Sequence, residues 1–156
     1  MKKILVACFS ASGVTAEKAR LLAAAADADF YEIRPAAPYS SADLKWTNPL
    51  ARCNREWLRK QRPALADRDA PVAQYDVIFL AFPIWYYTAP LIVNGFLESY
   101  DFAGKTIVTF ATSGGSDMNK VQKSLAPSAP GAALREGLML NGPQDEAALR
   151  AFASQF

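Results

Sequence analysis

The sequence predicts an α/β protein of three layers, in which a five-stranded parallel sheet lies between two layers of helices. Three apolar runs, Ile4–Phe9, Val77–Phe82 and Ile107–Ala111, are continuous rather than alternating with polar residues. Such runs are typical of strands that are buried on both faces. Weaker strands are predicted at Phe30–Ile33 and Leu134–Leu140. A helical segment follows each strand, so the order predicts a parallel sheet with right-handed crossovers.

The helical segments are marked by apolar spacing and by proline, and they are Thr15–Ala28, Leu50–Arg62, Pro90–Tyr100, Asn119–Leu125 and Asp145–Phe156. No repeat, low-complexity tract or linker divides the chain, so we expect one domain over residues 1–156. The stretch Pro35–Pro49 is the one long irregular connection, and long loops in compact domains are often functional.

The charge balance argues against nucleic acid as a partner. The 156 residues carry 17 Lys and Arg against 15 Asp and Glu, a net charge of +2. The basic residues of the second helical segment are interpreted as a solvated helix face, with a binding patch as the alternative; they are Arg52, Arg55, Arg59, Lys60 and Arg62. The chain has no histidine, which excludes imidazole catalysis, a Ser-His-Asp triad and histidine metal ligands.

The two cysteines, Cys8 and Cys53, cannot by themselves build a disulfide framework or a zinc site. Reduced thiols favour the cytoplasm. The apolar run Ile4–Ala7 before Cys8 resembles a lipoprotein cleavage site, but a signal peptide needs an apolar region of about 7–15 residues. No apolar stretch approaches transmembrane length, so we expect a soluble, cytoplasmic protein without a membrane partner.

Ligands of doubly wound sheets bind at the carboxyl ends of the strands, which here are followed by the loops Ser10–Thr15, Pro83–Pro90 and Thr112–Met118. The first loop offers three hydroxyl groups and the flexible Gly13, and the amides that open the next helix suit a phosphate. An ordinary capped helix is the alternative.

Other phosphate-binding loops do not match the first loop. It lacks the glycine spacing and the lysine of a nucleotide hydrolase, and Gly13 alone is no dinucleotide fingerprint. A phosphatase of this architecture needs an arginine in the loop after Cys8, and none is present. Cys8 is therefore interpreted as a small buried residue at the end of a strand.

The second loop places Trp85, Tyr86 and Tyr87 directly after a central strand, where three consecutive aromatic residues cannot all face the core. Offset stacking on a flat ligand contributes about 0.5–1.5 kcal/mol beyond burial, so a ring-shaped ligand explains them. A hydrophobic partner interface is the alternative. The third loop is small and rich in hydroxyl groups, and its backbone can reach the edge of a heterocycle.

These three loops, in this order on this strand pattern, resemble those of the flavodoxin-like proteins. The similarity is strongest to the branch with a Pro-Ile-Trp-Tyr second loop and a Thr-Ser-Gly-Gly third loop, and it covers essentially the whole chain. It implies the strand order 2-1-3-4-5 and FMN as the cofactor. It also implies contacts to the phosphate from the first loop, to the isoalloxazine from the second and to its pyrimidine edge from the third; these residues are Ser10, Ser12, Gly13, Val14, Thr15, Pro83, Ile84, Trp85, Tyr86, Thr112, Ser113, Gly114 and Gly115.

The sequence departs from this family pattern in two places. Val14 stands where many relatives have Asn, and the third loop lacks the aromatic residue that covers the outer face of the flavin. That face stays open, or it is closed by Tyr39, by Trp46 or by a second subunit of a homodimer.

The near-neutral charge balance speaks against the strongly acidic docking surface of an electron carrier. The sequence therefore favours an oxidoreductase that passes electrons from NAD(P)H to a quinone or a similar small acceptor. The alternative is an electron-transport protein that carries electrons between redox proteins. The third hypothesis is a flavin-free module that binds another protein.

Overall fold

A computed structural model describes residues 3–113, 118 and 120–156 of the chain. Five parallel strands form one sheet in the order β2-β1-β3-β4-β5, which confirms the predicted fold class and strand order. The strands are β1 Ile4–Phe9, β2 Asp29–Ile33, β3 Val77–Pro83, β4 Thr106–Thr112 and β5 Ala133–Met139; the helices are α1 Val14–Ala26, α2 Arg52–Arg59, α3 Leu91–Glu98, α4 Val121–Leu125 and α5 Glu146–Ala153. Two short 3₁₀ helices cover Val72–Gln74 and Ala126–Ser128.

The sheet separates two apolar cores. Residues Val77 and Phe79 of the central strand β3 face the core beneath α1 and α5, whereas Ile78 and Leu80 face the core beneath α3 and α4. Every residue of β3 except Pro83 is buried, because both faces are covered. This double burial is the physical reason for the continuous apolar run in the sequence.

The helices are shorter than the sequence predicts at several ends. Helix α1 stops at Ala26 because Asp27 takes the left-handed conformation, with φ 52°. Helix α2 ends in the same way at Lys60, with φ 51°, although the next proline, Pro63, comes only three residues later. The predicted start of α5 is confirmed, since the Asp145 carboxylate accepts a hydrogen bond of 3.1 Å from the Ala147 amide.

Strand β5 contains Gly137 for a steric reason. Gly137 lies where the pairing register between β4 and β5 shifts, between Thr109 and Ala111. A methyl group on Gly137 would collide with the Thr109 carbonyl oxygen and would lie 3.0 Å from Val108 Cγ1. The glycine is therefore required by the close approach of the two strands.

Within the described residues, no helix combines the length and the apolar character that crossing a lipid bilayer would need.

Candidate functional site

The three predicted loops meet at the carboxyl edge of the sheet, beside the point where the strand order reverses between β1 and β3. They enclose part of a cavity of about 410 Å³, within the usual size range of small-molecule sites. Its wall is formed by residues of all three loops and of the β5–α5 connection: Val14, Lys18, Pro83, Ile84, Trp85, Thr112, Ser113, Leu140, Asn141 and Gly142.

The first loop presents backbone donors to solvent. The Gly13 amide donates a 3.0 Å hydrogen bond to Ser10 Oγ, and Gly13 takes φ 94°, which turns the chain into α1. The residue before the helix, Gly13, has no side chain that could cap it, and both Ser12 and Gly13 are exposed. The first amides of a helix have no intrahelical acceptor, so this end of α1 can receive an anion.

Thr15 lies beneath the loop rather than on its surface. Its side chain is buried, and its Oγ1 atom lies 2.7 Å from Oγ1 of Thr112 at the end of β4. The Thr112 carbonyl in turn accepts a 2.9 Å hydrogen bond from the Ile84 amide. The hydroxyl pair therefore ties the first loop to the second and third loops.

The second loop is a tight turn of unusual composition. Trp85 and Thr88 exchange backbone hydrogen bonds of 2.9 and 3.0 Å, and Tyr86 and Tyr87 between them have φ 54° and 68°. A two-residue turn with positive φ at both central positions normally carries Asn or Gly. Bulky residues in this conformation cost about 1–3 kcal/mol each and concentrate at functional sites.

The three aromatic residues of this loop point to different surroundings, as the sequence predicts. Trp85 packs against the core, whereas Tyr87 is exposed. Tyr86 faces α2, where its ring lies 4.8 Å from that of Trp57 and its hydroxyl donates to Asn54 Oδ1. Of the three, Trp85 is the one that lines the 410 Å³ cavity.

Two aromatic rings hold Trp85 in place. Its ring meets Phe9 at 5.8 Å and Tyr39 at 5.5 Å between centroids, both edge to face. Phe9 and Tyr39 also contact each other at 5.9 Å, so the three rings form a closed cluster. Such edge-to-face pairs fix ring orientation. Tyr39 therefore supports Trp85, and its partly buried ring also lines a neighbouring cavity of about 440 Å³.

A partly buried ionic network holds Tyr39 in turn. Its hydroxyl donates to Glu56 Oε1, while Arg52 Nε donates to Glu56 Oε2 at 2.9 Å. The Arg52 guanidinium also lies 3.9 Å from the centre of the Tyr39 ring. Burial, followed by the hydrogen bond to the Glu56 carboxylate, raises the pKa of Tyr39 far above its ordinary value, so the phenol remains a donor.

The expectation that Arg52 belongs to a solvated helix face is therefore wrong. Besides Glu56 and Tyr39, its guanidinium reaches the Ala37 carbonyl at 2.6 Å, and its side chain is largely covered. Periodicity places Arg52 on α2 but does not show the irregular connection folded over it.

Replacing Glu56 with Gln is expected to lower the free energy of unfolding by about 2 kcal/mol, because Arg52 loses its nearer carboxylate in a half-buried setting and keeps only Asp43, 3.9 Å away. Denaturant unfolding measures this change. The matched variant Glu146→Gln removes an exposed partner from Arg150 and should change stability by less than about 0.5 kcal/mol. Equal losses in the two variants would contradict a structural role for the Glu56 network.

The third loop is anchored by a residue that sequence reasoning did not select. Asn141, after β5, accepts a 2.9 Å hydrogen bond from the Ser113 amide through Oδ1. Gly114 and Gly115, which were predicted to continue this loop, lie outside the described residues.

Lys18 is a second residue that was missed. Its Nζ atom donates a 2.6 Å hydrogen bond to the Gly142 carbonyl and supplies positive charge to the cavity wall. Lys18 follows Val14 by one helical turn, so both side chains lie on the same face of α1. That spacing is the signal that could have pointed to Lys18 from sequence.

Cys8 is not poised as a nucleophile. It is fully buried at the end of β1, and this burial raises the pKa of its thiol to about 12. The thiol therefore stays protonated at neutral pH, in agreement with its interpretation as a packing residue. In the described part of the chain, no cluster of three or more Cys, Asp or Glu side chains is arranged to hold a metal ion.

Two further cavities border the sheet. One of about 810 Å³ lies at the opposite, amino-terminal edge, between Lys3, Asp29, Tyr75 and Arg150. Its size does not make it the better site, because ligands of doubly wound sheets bind at the carboxyl edge. Another, of about 440 Å³, adjoins the first loop through Ser10 and extends to Tyr39.

Taken together, an exposed helix start, an aromatic wall and a switch-point cavity define a doubly wound α/β protein with a candidate ligand site beside its first and third strands. The model of the flavodoxin family matches residues 3–156, and the chain belongs to that family.

Two solved structures from Bacteroides are 44% identical to this chain. A candidate flavoprotein from Bacteroides eggerthii superposes with a TM-score of 0.92 and covers 99% of this chain and 98% of its own. A candidate flavoprotein from Bacteroides uniformis gives 0.90, with 98% of each chain covered. A flavoprotein from Lactobacillus acidophilus, solved in complex with FMN, is 16% identical and has a TM-score of 0.71 over 98% of this chain and 99% of its own, which shows a shared fold. No protein among those with curated descriptions matches the sequence.

Proposed function

We propose that the chain binds FMN at the carboxyl edge of the sheet and acts as a redox protein. The observation that carries this proposal is the uncapped start of α1 beside a cavity walled by Trp85. Similarity to two candidate flavoproteins over nearly the whole chain supports a flavin. The FMN complex of a protein with the same fold supports the mononucleotide form.

The residues present suit each part of FMN. The phosphate would lie at the first loop, where the exposed Ser12 hydroxyl and the first amides of α1 are donors, and Lys18 adds a cation nearby. Trp85, with Pro83 and Ile84, would pack against the isoalloxazine. The end of β4 and the loop after it would contact the pyrimidine edge of the isoalloxazine through Thr112, Ser113, Gly114 and Gly115. Ser10 and Gly13 shape the turn, and Thr15 fastens it from below.

Bound FMN would supply the capacity to take up hydride and release electrons, while the protein supplies position and electrostatics. We favour an oxidoreductase that uses NAD(P)H and reduces a quinone or a similar small acceptor. The near-neutral charge balance, 17 Lys and Arg against 15 Asp and Glu, supports this choice, because an electron carrier usually docks through a strongly charged surface. Two buried, unpaired thiols at Cys8 and Cys53 favour a reducing compartment such as the cytoplasm.

The alternative, an electron carrier between protein partners, is supported by a different observation. Large apolar side chains on and before α2, including Trp46 and Leu58, are strongly exposed next to the second loop. Exposed apolar groups of this kind mark surfaces that contact other proteins.

Replacing Ser12 with Ala is expected to weaken FMN binding about tenfold and riboflavin binding less than about twofold. Hydrogen bonds to charged groups contribute about 1.5–3 kcal/mol, and only FMN carries the phosphate. Flavin fluorescence titration of the purified apoprotein measures both constants. Ser41→Ala, in the exposed connection before α2, is the control and should leave both unchanged.

An equal loss for FMN and riboflavin would contradict a phosphate site at the first loop. Failure of the wild-type protein to bind either flavin would favour the flavin-free interaction module. Anaerobic titration of the FMN-loaded protein with NADPH then separates the redox roles. Bleaching of the flavin supports the oxidoreductase, whereas no bleaching together with rapid reduction by a reductase supports the carrier.

A further inference from the structure

Five large apolar residues form an exposed surface beside the second loop, here called the α2 patch: Trp46, Leu50, Trp57, Leu58 and Tyr87. Leu50 is 78% exposed, Trp46 72% and Leu58 70%. Soluble proteins expose single apolar residues routinely, but a contiguous group next to a ligand site marks a contact surface.

Three members of the α2 patch, Trp46, Trp57 and Tyr87, are connected through Asn54 and Tyr86, while Leu50 and Leu58 are exposed on the same segment. The Asn54 side-chain amide donates to the Trp46 carbonyl at 2.9 Å, and its Oδ1 accepts from the Tyr86 hydroxyl. The Tyr86 ring lies on Trp57, and Tyr87 is the next residue along the turn. Since Trp85 begins this same turn, the α2 patch adjoins the wall of the proposed flavin site.

Positive charge surrounds the patch. Four exposed cations lie on the same segment, and Lys120 Nζ lies 5.5 Å from the centre of the Tyr87 ring; the four are Lys45, Arg55, Arg59 and Lys60. Among the described residues, none of these five cations forms an ion pair. The nearest acids on the segment, Asp43 and Glu56, are both paired with Arg52.

This charge pattern selects the occupant of the surface. A second copy docked symmetrically would place the same unpaired cations against each other, which is costly. A small ligand such as NAD(P)H requires a concave site, whereas the side chains of the α2 patch are exposed to solvent. An acidic protein complements the cations and can cover the tryptophans, which are favoured anchors in interfaces.

We propose that the α2 patch is the docking surface for a small acidic electron-carrier protein. Exchange of electrons with that partner rests on the proposed FMN function, but docking does not. The acidic side chains of the partner would approach Arg55 and Arg59, and its apolar centre would cover Trp57 and Leu58. Docking there places the partner against the turn that contains Trp85.

Binding of two acidic probes, a plant-type ferredoxin and a bacterial two-cluster ferredoxin, tests this proposal by calorimetry on the apoprotein and on the FMN-loaded protein. We expect at least one probe to bind both forms, and to bind about tenfold more weakly when NaCl rises from about 20 to about 200 mM. The double variant Arg55→Gln/Arg59→Gln should weaken binding about fivefold, and Leu58→Ser about tenfold.

The control variant Arg135→Gln removes an exposed cation on β5 and should leave the affinity within about twofold. Equal weakening by the control and the double variant, or no binding of either probe, would overturn the proposal. So would a wild-type dimer that Leu58→Ser dissociates, or loss of NADPH affinity in the double variant. Docking to apoprotein that takes up no flavin would retain the surface and overturn only the FMN proposal.

Discussion

Replacing Gly137 with Ala should lower the free energy of unfolding by about 3 kcal/mol. The added methyl group would collide with the Thr109 carbonyl oxygen, which belongs to the backbone of β4 and cannot rotate away. Overpacking of a well-packed site costs about 1–3 kcal/mol, and a clash with backbone lies at the upper end of that range. Because domains are stable by only about 5–15 kcal/mol, denaturant unfolding will resolve the loss clearly.

The matched variant is Gly95→Ala in helix α3. A methyl group there meets the flexible Arg62 side chain, with its Cγ atom at 3.3 Å, and alanine favours a helix over glycine. We therefore expect a change within about 1 kcal/mol, in either direction. A Gly137→Ala protein as stable as Gly95→Ala would show that β4 and β5 can separate without cost, and would contradict the steric role of Gly137.

Replacing Trp85 with Leu should weaken both FMN and riboflavin about tenfold. The variant loses ring stacking, worth about 0.5–1.5 kcal/mol, together with part of the apolar contact area, and both ligands carry the isoalloxazine. Leucine retains an apolar side chain against Phe9 and Tyr39, so the loop remains packed. Fluorescence titration measures the two affinities, and near-ultraviolet circular dichroism checks the fold.

The control for Trp85 is Trp46→Leu, because Trp46 is largely exposed and lies outside the cavity wall. It should change neither affinity. Normal FMN binding by the Trp85→Leu protein would show that the isoalloxazine ring does not pack against Trp85. A loss confined to FMN would instead place Trp85 near the phosphate.

Much of this fold could be predicted because each central strand leaves a local signal. Both faces of β3 are covered, so the apolar run Val77–Phe82 carries no polar alternation. The three loops could be selected once these strands were identified. Parallel strands end at one edge of the sheet, so the loops that follow them must meet there. The turn at Tyr86 and Tyr87 exposes an aromatic residue, as three consecutive rings require.

The supports of the site could not be predicted, because they join residues far apart in the chain. Lys18 meets the Gly142 carbonyl across 124 positions, and Asn141 reaches Ser113 across 28. The helical spacing from Val14 could place Lys18 on the right face of α1, but no local pattern records which carbonyl or amide these side chains meet. Arg52 illustrates the same limit, because helical spacing alone cannot show that the connection through Tyr39 folds back over its guanidinium.

The placement of the three tryptophans gives the protein a set of built-in optical reporters. Trp85 borders the cavity, Trp57 packs at a tilt against Tyr86 of the neighbouring turn, and Trp46 faces solvent. A variant that keeps Trp85 as its single tryptophan would report binding of the proposed flavin, because energy transfer to a bound flavin would quench the Trp85 emission. A chain retaining only Trp57 would report coverage of α2. Ligand uptake and partner association could thus be timed separately in a single mixing experiment, without any attached dye.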